Sequence, residues 1–185
     1  MKKVVLGLFV AAAFLMTAAS AQAQVIKLSL WDDICYPNGD YTGGLELGIG
    51  SQTKAVDGVQ LGIIYSQADK LRGVQLGIVN NTEDGTGVQW GWVNLVQEFT
   101  GVQAGAVNWV KGDITGVQWG LVNYAKDITG VQFGWVNYAD TAKGLQLGFV
   151  NWAEHMNGGV QVGLVNVIRN KPNMLPVFVI FNFGF

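Results

Sequence analysis

The chain has 185 residues, with 11 Lys and Arg, 13 Asp and Glu, and a formal net charge of −2. This length suits one domain, and an acidic balance without a basic cluster argues against a nucleic-acid partner. The only cysteine, Cys35, cannot form an internal disulfide, so the fold must be stabilised in another way.

The N-terminus has the pattern of a secretory signal peptide. Two lysines precede an apolar run from Val4 to Met16, and the small residues Ala21 and Ala23 form a cleavage site. A retained membrane helix is the alternative, but the apolar run is short and ends in polar residues. The sequence therefore predicts a signal peptide at 1–23 and one exported domain at 24–185.

An internal repeat fills most of this domain, from residue 44 to residue 172. The unit is G-V-Q-x-G-x-V-N-x-x followed by four or five variable residues, and the repeat length is 14 or 15 residues. The nine units begin at Gly44, Gly58, Gly73, Gly87, Gly101, Gly116, Gly130, Gly144 and Gly159. Numbering each unit from this glycine, apolar residues at positions two, four and six alternate with Gly, Gln and Gly, a pattern that predicts a β-strand.

Charged residues are confined to the variable part of the unit. Of the 18 Asp, Glu, Lys and Arg residues between Gly44 and Pro172, 17 lie at position 11 or later, and only Glu46 lies within a ten-residue core. A transmembrane β-strand needs about 9–11 residues. Each unit is thus predicted to be one uncharged strand followed by a short charged turn.

These features predict an all-β fold, an antiparallel up-and-down transmembrane β-barrel of about 10–12 strands. Turns of four or five residues can join antiparallel neighbours, whereas parallel neighbours need a crossover of about a dozen residues. The nine repeats, a C-terminal strand at 175–185 and an alternating segment at 25–31 supply the strands. A β-solenoid with continuous Gln and Asn ladders is the alternative. Against it, a 14-residue coil would have to enclose Trp in some units and the Ala104–Ala106 pair in the next.

The C-terminal strand favours the membrane interpretation. It alternates apolar residues and finishes on Phe181, Phe183 and Phe185, which resembles the C-terminal assembly signal of bacterial outer-membrane barrels. A core strand of a soluble β-protein is the alternative. The predicted location is the cell outer membrane, and the predicted partners are outer-membrane lipid and the barrel assembly machinery.

In such a barrel the side chains at positions two, four and six, Trp119 among them, would face lipid, and the repeated glutamines would line the lumen. These glutamines are Gln60, Gln75, Gln89, Gln103, Gln118, Gln132, Gln146 and Gln161. Strict alternation would also place the repeated Asn side chains toward lipid and Tyr124 and Tyr138 inside. A β-bulge near position seven or eight would reverse that assignment.

The residues needed for catalysis or metal binding are missing from the sequence. His155 is the single histidine and lies in a predicted turn, so no nucleophile–base pair or Cys/His cluster can be built. The recurrent Gly-x-Gly pairs lie inside strands and precede no helix, which argues against phosphate loops. No enzyme activity, metal or cofactor is expected.

The GVQxGxVN units resemble the repeats of a family of bacterial surface-repeat proteins. The resemblance covers about seven-tenths of the chain, and Glu46, Ser51 and Tyr65 depart from the pattern. It implies export, a location at the cell envelope and no defined chemistry.

The sequence as a whole leaves two functions as expectations: a narrow passive pore for small solutes, or a structural or host-facing surface protein, solenoid or closed barrel, without transport activity. An outer-membrane enzyme is a third, for which the sequence lacks the residues.

Overall fold

The computed structural model describes residues 26–31, 34–171 and 175–184, in which the regular structure is entirely β. The predicted signal peptide lies outside the described residues. The strands are β1 (Ile26–Trp31), β2 (Ile34–Tyr36), β3 (Tyr41–Thr42), β4 (Leu45–Trp90), β5 (Val93–Ala104), β6 (Val107–Trp119), β7 (Val122–Phe133), β8 (Val136–Leu147), β9 (Val150–Ile168) and β10 (Val177–Gly184). Within this part of the chain, no helix has the length and apolar character needed to cross a bilayer.

Consecutive repeats pair with each other in parallel and in register. Gly116 lies opposite Gly130, and Gln118 lies opposite Gln132. The same register joins β5 to β6, β7 to β8 and β8 to β9. Each repeat is therefore one coil of a β-solenoid, and the predicted antiparallel transmembrane barrel is wrong.

The physical reason lies in the connection between parallel neighbours. A turn of four or five residues is too short to connect two parallel strands by itself. In a solenoid, however, the rest of the coil is the connection, so a repeat of 14 or 15 residues satisfies the requirement. Parallel stacking in register also brings like side chains together, which allows near-identical repeats to form continuous ladders.

Each coil contains a tight bend at positions five and six. In one coil β6 ends at Trp119 and β7 begins at Val122. Gln118 before the bend and Asn123 after it are both buried, although they lie five residues apart. The inward-outward alternation therefore reverses at the bend, two positions earlier than the bulge considered from the sequence. This reversal turns the repeated asparagines inward and leaves Tyr124 outside.

The first glycine of the unit allows close approach between coils. Gly116 has a φ of 141°, which L-residues rarely adopt. A Cβ atom built on Gly116 would collide with the carbonyl oxygen of Gly101 in the preceding coil. Seven of the nine unit glycines have φ between 125° and 149°, so the conformation belongs to the repeat rather than to one coil.

Apolar side chains fill the interior beside the charged turns. The first column lies at position ten, and the second lies two residues before the next unit, or three in the case of Met156. They consist of Val96, Val110, Ala125, Ala139 and Ala153, and of Phe99, Ile114, Ile128, Ala142 and Met156. The Trp and Ala residues at positions four and six, which had argued against a small coil, point outward instead. Trp119, for example, is 62% exposed. The varying bulk at those positions is therefore compatible with a coil of constant width.

Short strands cover both ends of the stack. At the first coil, β1 pairs in parallel with the start of β4, and β2 pairs antiparallel with β1. At the last coil, β10 pairs antiparallel with β9. These strands occupy hydrogen-bonding edges that a bare solenoid would expose to further pairing.

Candidate functional site

Eight buried glutamines form a continuous ladder through the interior, here called the glutamine ladder. In each step Nε2 donates to Oε1 of the glutamine in the preceding coil, as from Gln118 to Gln103 at 3.1 Å and from Gln132 to Gln118 at 2.8 Å. The members are Gln60, Gln75, Gln89, Gln103, Gln118, Gln132, Gln146 and Gln161, none more than 1% exposed. The glutamines predicted to line a lumen thus face the interior of the coils and bond to each other.

Six of the eight ladder glutamines also tie the two halves of one coil together. Nε2 of Gln118 donates a second hydrogen bond to the carbonyl oxygen of Tyr124 at 3.1 Å, and Gln132 makes the same bond to Tyr138 at 3.1 Å. Both amide hydrogens of Gln118 and Gln132 are then engaged within the buried interior. A buried amide is tolerated only when it is bonded in this way.

The repeated asparagines form a second ladder that runs in the opposite direction, the asparagine ladder. Nδ2 of Asn108 donates to Oδ1 of Asn123 in the following coil at 2.8 Å, and also to the carbonyl oxygen of Trp119 at 3.0 Å. The members are Asn80, Asn94, Asn108, Asn123, Asn137, Asn151 and Asn166. Because the two ladders point their amide dipoles in opposite directions, their fields oppose each other along the stack.

A carboxylate closes the donor end of the glutamine ladder. Glu46 occupies the glutamine position of the first coil, is fully buried, and accepts from Thr53 at 2.6 Å and from Ser29 at 3.0 Å. The buried ammonium group of Lys27 lies 3.8 Å from Glu46 and donates to Thr53 at 2.7 Å. The departure of Glu46 from the repeat pattern thus marks the end of the ladder.

A cation lies near the acceptor end. Asn182 of β10 is paired with Gln161, the last glutamine, and its Oδ1 accepts from Nζ of Lys171 at 2.7 Å. The same Nζ lies 4.9 and 4.6 Å from the ring centres of Phe178 and Phe183. A carboxylate at the donor end and an ammonium group near the acceptor end both oppose the dipole of the ladder, as charges do at helix termini.

The residues predicted as an assembly signal belong to the C-terminal segment, in which β10 covers the last coil. Phe181 is 55% exposed, Phe183 lies beside Lys171, and Phe185 is outside the described residues. The strand alternates as predicted except at Ile180, which has a φ of 74° and is 67% exposed. That these phenylalanines direct assembly stays a prediction.

Positions four and six form the most apolar part of the exterior, here called the aromatic edge. They flank the bend glycine of every coil in two parallel columns of outward side chains. The columns are Leu61, Leu76, Trp90, Ala104, Trp119, Phe133, Leu147 and Val162, and Ile63, Ile78, Trp92, Ala106, Leu121, Trp135, Phe149 and Leu164. A groove of about 770 Å³ with a glycine floor runs between them, and a second of about 720 Å³ continues it toward the first coils. Trp90 and Leu121 border both.

A second aromatic column lies at position nine. Its rings stack face to face, with centroid distances of 4.2 Å between Trp109 and Tyr124, 5.3 Å between Tyr124 and Tyr138, and 6.5 Å between Tyr138 and Trp152. Partial burial raises the pKa of Tyr138, and the nearby Asp140 carboxylate raises it further. Each ring face covers its neighbour, so the column contributes to the cohesion of the stack.

The barrel interpretation missed how the repeated asparagines organise the interior. Strict alternation placed them toward lipid unless a β-bulge intervened, whereas the β-solenoid alternative placed them in a ladder, as the structure does. Lys27 was not singled out, and nothing in its local sequence distinguishes a buried from an exposed lysine. His155 is exposed, as expected for a turn residue, with Nε2 at 3.1 Å from Nδ2 of Asn170. In the described part of the chain, no group of three or more His, Cys, Asp or Glu side chains could hold a metal ion.

Searches with the sequence and the fold against family models, curated proteins and solved structures find no match.

Proposed function

We propose that this chain is a non-catalytic bacterial surface protein of structural or host-facing type. Its function is to form a β-solenoid that presents exterior side chains in columns along the stacked coils. The observation that carries the proposal is the pair of amide ladders: the glutamine and asparagine side chains that recur along the repeats are directed inward and bonded to each other. The polar residues of the repeat motif therefore serve the scaffold, and the exterior at positions two, four, six and nine is available for contact.

The proposed location rests on the sequence. Residues 1–23 resemble a secretory signal peptide, and the GVQxGxVN units resemble those of exported surface-repeat proteins. Outer-membrane lipid and the barrel assembly machinery stay predicted partners. The narrow-pore hypothesis depended on a barrel lumen lined by glutamine, and these glutamines instead bond to each other inside the coils, so transport is not proposed.

Surface labelling of intact cells tests this function. An epitope inserted between Lys126 and Asp127 lies in a turn whose length already varies: the turn at 111–113 in the preceding coil has one extra residue, taken up as a shift in register. We expect an antibody to label intact Gram-negative cells that express the tagged chain. The control is the same chain without residues 1–23, which should be labelled only after the cells are opened. Labelling of the tagged full chain only after permeabilisation would contradict surface presentation.

A further inference from the structure

We infer that the aromatic edge docks the solenoid onto the surface of a lipid bilayer. The Trp and Phe side chains of the edge enter the interfacial region, and the charged turns stay in water. The inference rests on the proposed function, in which outer-membrane lipid is a predicted partner, and assigns that contact to one face of the solenoid; a surface scaffold could also be held at the envelope by its covering strands or by another protein.

The distribution of charge separates the two ends of each coil. Between Gly44 and Pro172, 17 of 18 charged residues lie in the turns, and none lies at positions four to six. The turns and the bend close opposite ends of the two extended segments, so every coil has one charged end and one apolar end. This is the segregation found in amphipathic elements that lie in a membrane interface.

The apolar end is highly exposed over several coils. The exposed fractions are 67% for Trp90, 70% for Trp92, 62% for Trp119 and 60% for Trp135. Soluble monomers rarely expose a continuous apolar patch of this kind without a partner. At a strand spacing of about 4.8 Å, the edge extends roughly 34 Å over eight coils.

The backbone at the bend is compatible with contact by lipid. An unpaired backbone amide or carbonyl is costly in hydrocarbon. Here the N–H of Gly120 donates to the carbonyl oxygen of Phe133 at 3.0 Å, and the N–H of Leu121 donates to that of Ala106 at 3.0 Å. The coils above and below thus engage the backbone of the bend, which can approach acyl chains without loss of hydrogen bonds.

The chemistry of the edge favours a bilayer over a second copy of the chain. Protein interfaces combine an apolar centre with a polar rim and direct hydrogen bonds that fix the register. Both columns of the edge are wholly apolar, with tryptophan indole N–H groups as their side-chain donors. Tryptophan concentrates at membrane–water interfaces because its apolar body and polar N–H suit the headgroup level. The glycine-floored groove and the notch at Ala104 and Ala106 leave space for acyl chains between the rings.

Vesicle flotation with the purified protein tests the inference. We expect it to float with vesicles of zwitterionic phosphatidylcholine, equally at low and high salt because the edge is uncharged, and its tryptophan emission to be quenched by brominated acyl chains. Trp119→Gln combined with Trp135→Gln should lower the partition coefficient at least about tenfold, since each loses the burial of a large aromatic ring. The matched control is Trp109→Gln, in the stacked column at position nine, which should leave partitioning within about twofold. Circular dichroism and gel filtration verify that each variant keeps the fold and size of the parent.

Three results would overturn the inference. The first is a folded parent chain that does not float. The second is an equal loss of flotation in the Trp109→Gln control. The third is an edge variant that dissociates an oligomer of the parent without changing flotation, which would assign the edge to contact between copies. Surface labelling of cells is independent of these outcomes, so failure of lipid docking and failure of the proposed function are distinguishable.

Discussion

Oε2 of Glu46 lies 3.3 Å from Nε2 of Gln60, so a buried carboxylate accepts the hydrogen bond at one end of a ladder of eight glutamines. Every amide in that ladder directs its N–H toward Glu46 and its carbonyl oxygen away. The negative charge therefore meets the positive end of the aligned dipoles, and Lys27 balances it from the other side. The first coil thus closes the polar interior with a charge pair instead of an open amide.

Glu46→Gln should destabilise the protein by about 3–5 kcal/mol, because it leaves the buried ammonium group of Lys27 without its counter-charge. Chemical denaturation followed by tryptophan fluorescence measures the loss. The matched control is Glu154→Gln, which removes an exposed ion pair with Arg169 and should shift the midpoint little. The double variant Lys27→Met with Glu46→Gln should recover most of the lost stability. A double variant no more stable than Glu46→Gln alone would contradict the charge-pair account.

A charge placed inside the glutamine ladder should also destabilise the folded protein. Gln118→Glu removes the donors to Gln103 and Tyr124 and places a carboxylate in a fully buried site. We expect a loss of about 3 kcal/mol or more at neutral pH. The same substitution at the exposed Gln97, in a turn, should cost little. Equal midpoints for the two variants would mean that the interior is hydrated.

The loss in Gln118→Glu should depend on pH. Burial raises the pKa of the introduced carboxyl above its unfolded value of about 4.3. The folded state then binds more protons than the unfolded state between the two pKa values. Stability of the variant should therefore be greatest below the unfolded pKa and fall as pH rises through the folded pKa. The parent and Gln97→Glu, measured in the same buffers, supply the baseline.

The sequence predicted the class of structure and the location of charge, but not how the repeats pair. Alternating Val, Gln and Trp identified the strands, and position 11 identified the turns. Whether Gln118 meets Gln132 across a parallel or an antiparallel pair is not encoded in either segment alone, because both pairings preserve the alternation. The signal that distinguishes parallel from antiparallel pairing is the recurrence of asparagine at the same position of successive units, as at Asn123 and Asn137. Identical buried amides gain most from stacking in register. An assumption of strict alternation ignores the bend at Gly120, and therefore places the asparagines outside instead of in a buried ladder.

Gly116→Ala should destabilise the solenoid by about 3 kcal/mol or more. The φ of 141° disfavours any side chain, and the new Cβ would collide with Gly101 of the preceding coil. Gly158→Ala is the matched control, because its φ is 83° but a Cβ there meets no atom within 4 Å. It should cost only about 1–2 kcal/mol, the backbone contribution alone. Thermal melts of both variants separate the cost of the backbone conformation from the cost of the collision between coils. A Gly158→Ala variant as unstable as Gly116→Ala would contradict a contribution from the close approach between coils.

Tyr138, in the stacked column at position nine, should ionise at a higher pH in the folded chain than in the unfolded chain. Partial burial and Asp140 raise the pKa of Tyr138 in the folded state. The folded chain then holds its phenolic proton longer than the unfolded chain. The associated stability is fully present below the unfolded pKa and is lost as pH rises through the folded pKa. Difference absorbance of phenolate should show Tyr138 ionising later than in the unfolded chain, and Asp140→Asn should reduce the delay. A Tyr138 titration unchanged by Asp140→Asn would contradict the contribution of that carboxylate.

The asparagine ladder stops one coil short, and this suggests a stabilising substitution. Oδ1 of Asn80 is buried without a hydrogen-bond partner in the described part of the chain, because the preceding coil carries Ser66 at the corresponding inward site. Ser66 already donates to the carbonyl oxygen of Leu76 at 3.1 Å, the bond that five of the seven ladder asparagines make to the next coil. Ser66→Asn keeps that bond and adds an amide hydrogen directed at Asn80. We expect a gain of about 1 kcal/mol in the free energy of unfolding. Ser66→Ala is the control and should lose stability, since it leaves the carbonyl oxygen of Leu76 without this donor and the N–H of Gly62 without its acceptor, while Asn80 stays as it is in the parent. A Ser66→Asn variant less stable than Ser66→Ala, at unchanged circular dichroism, would show that the site lacks room for the amide and that the ladder ends there by necessity.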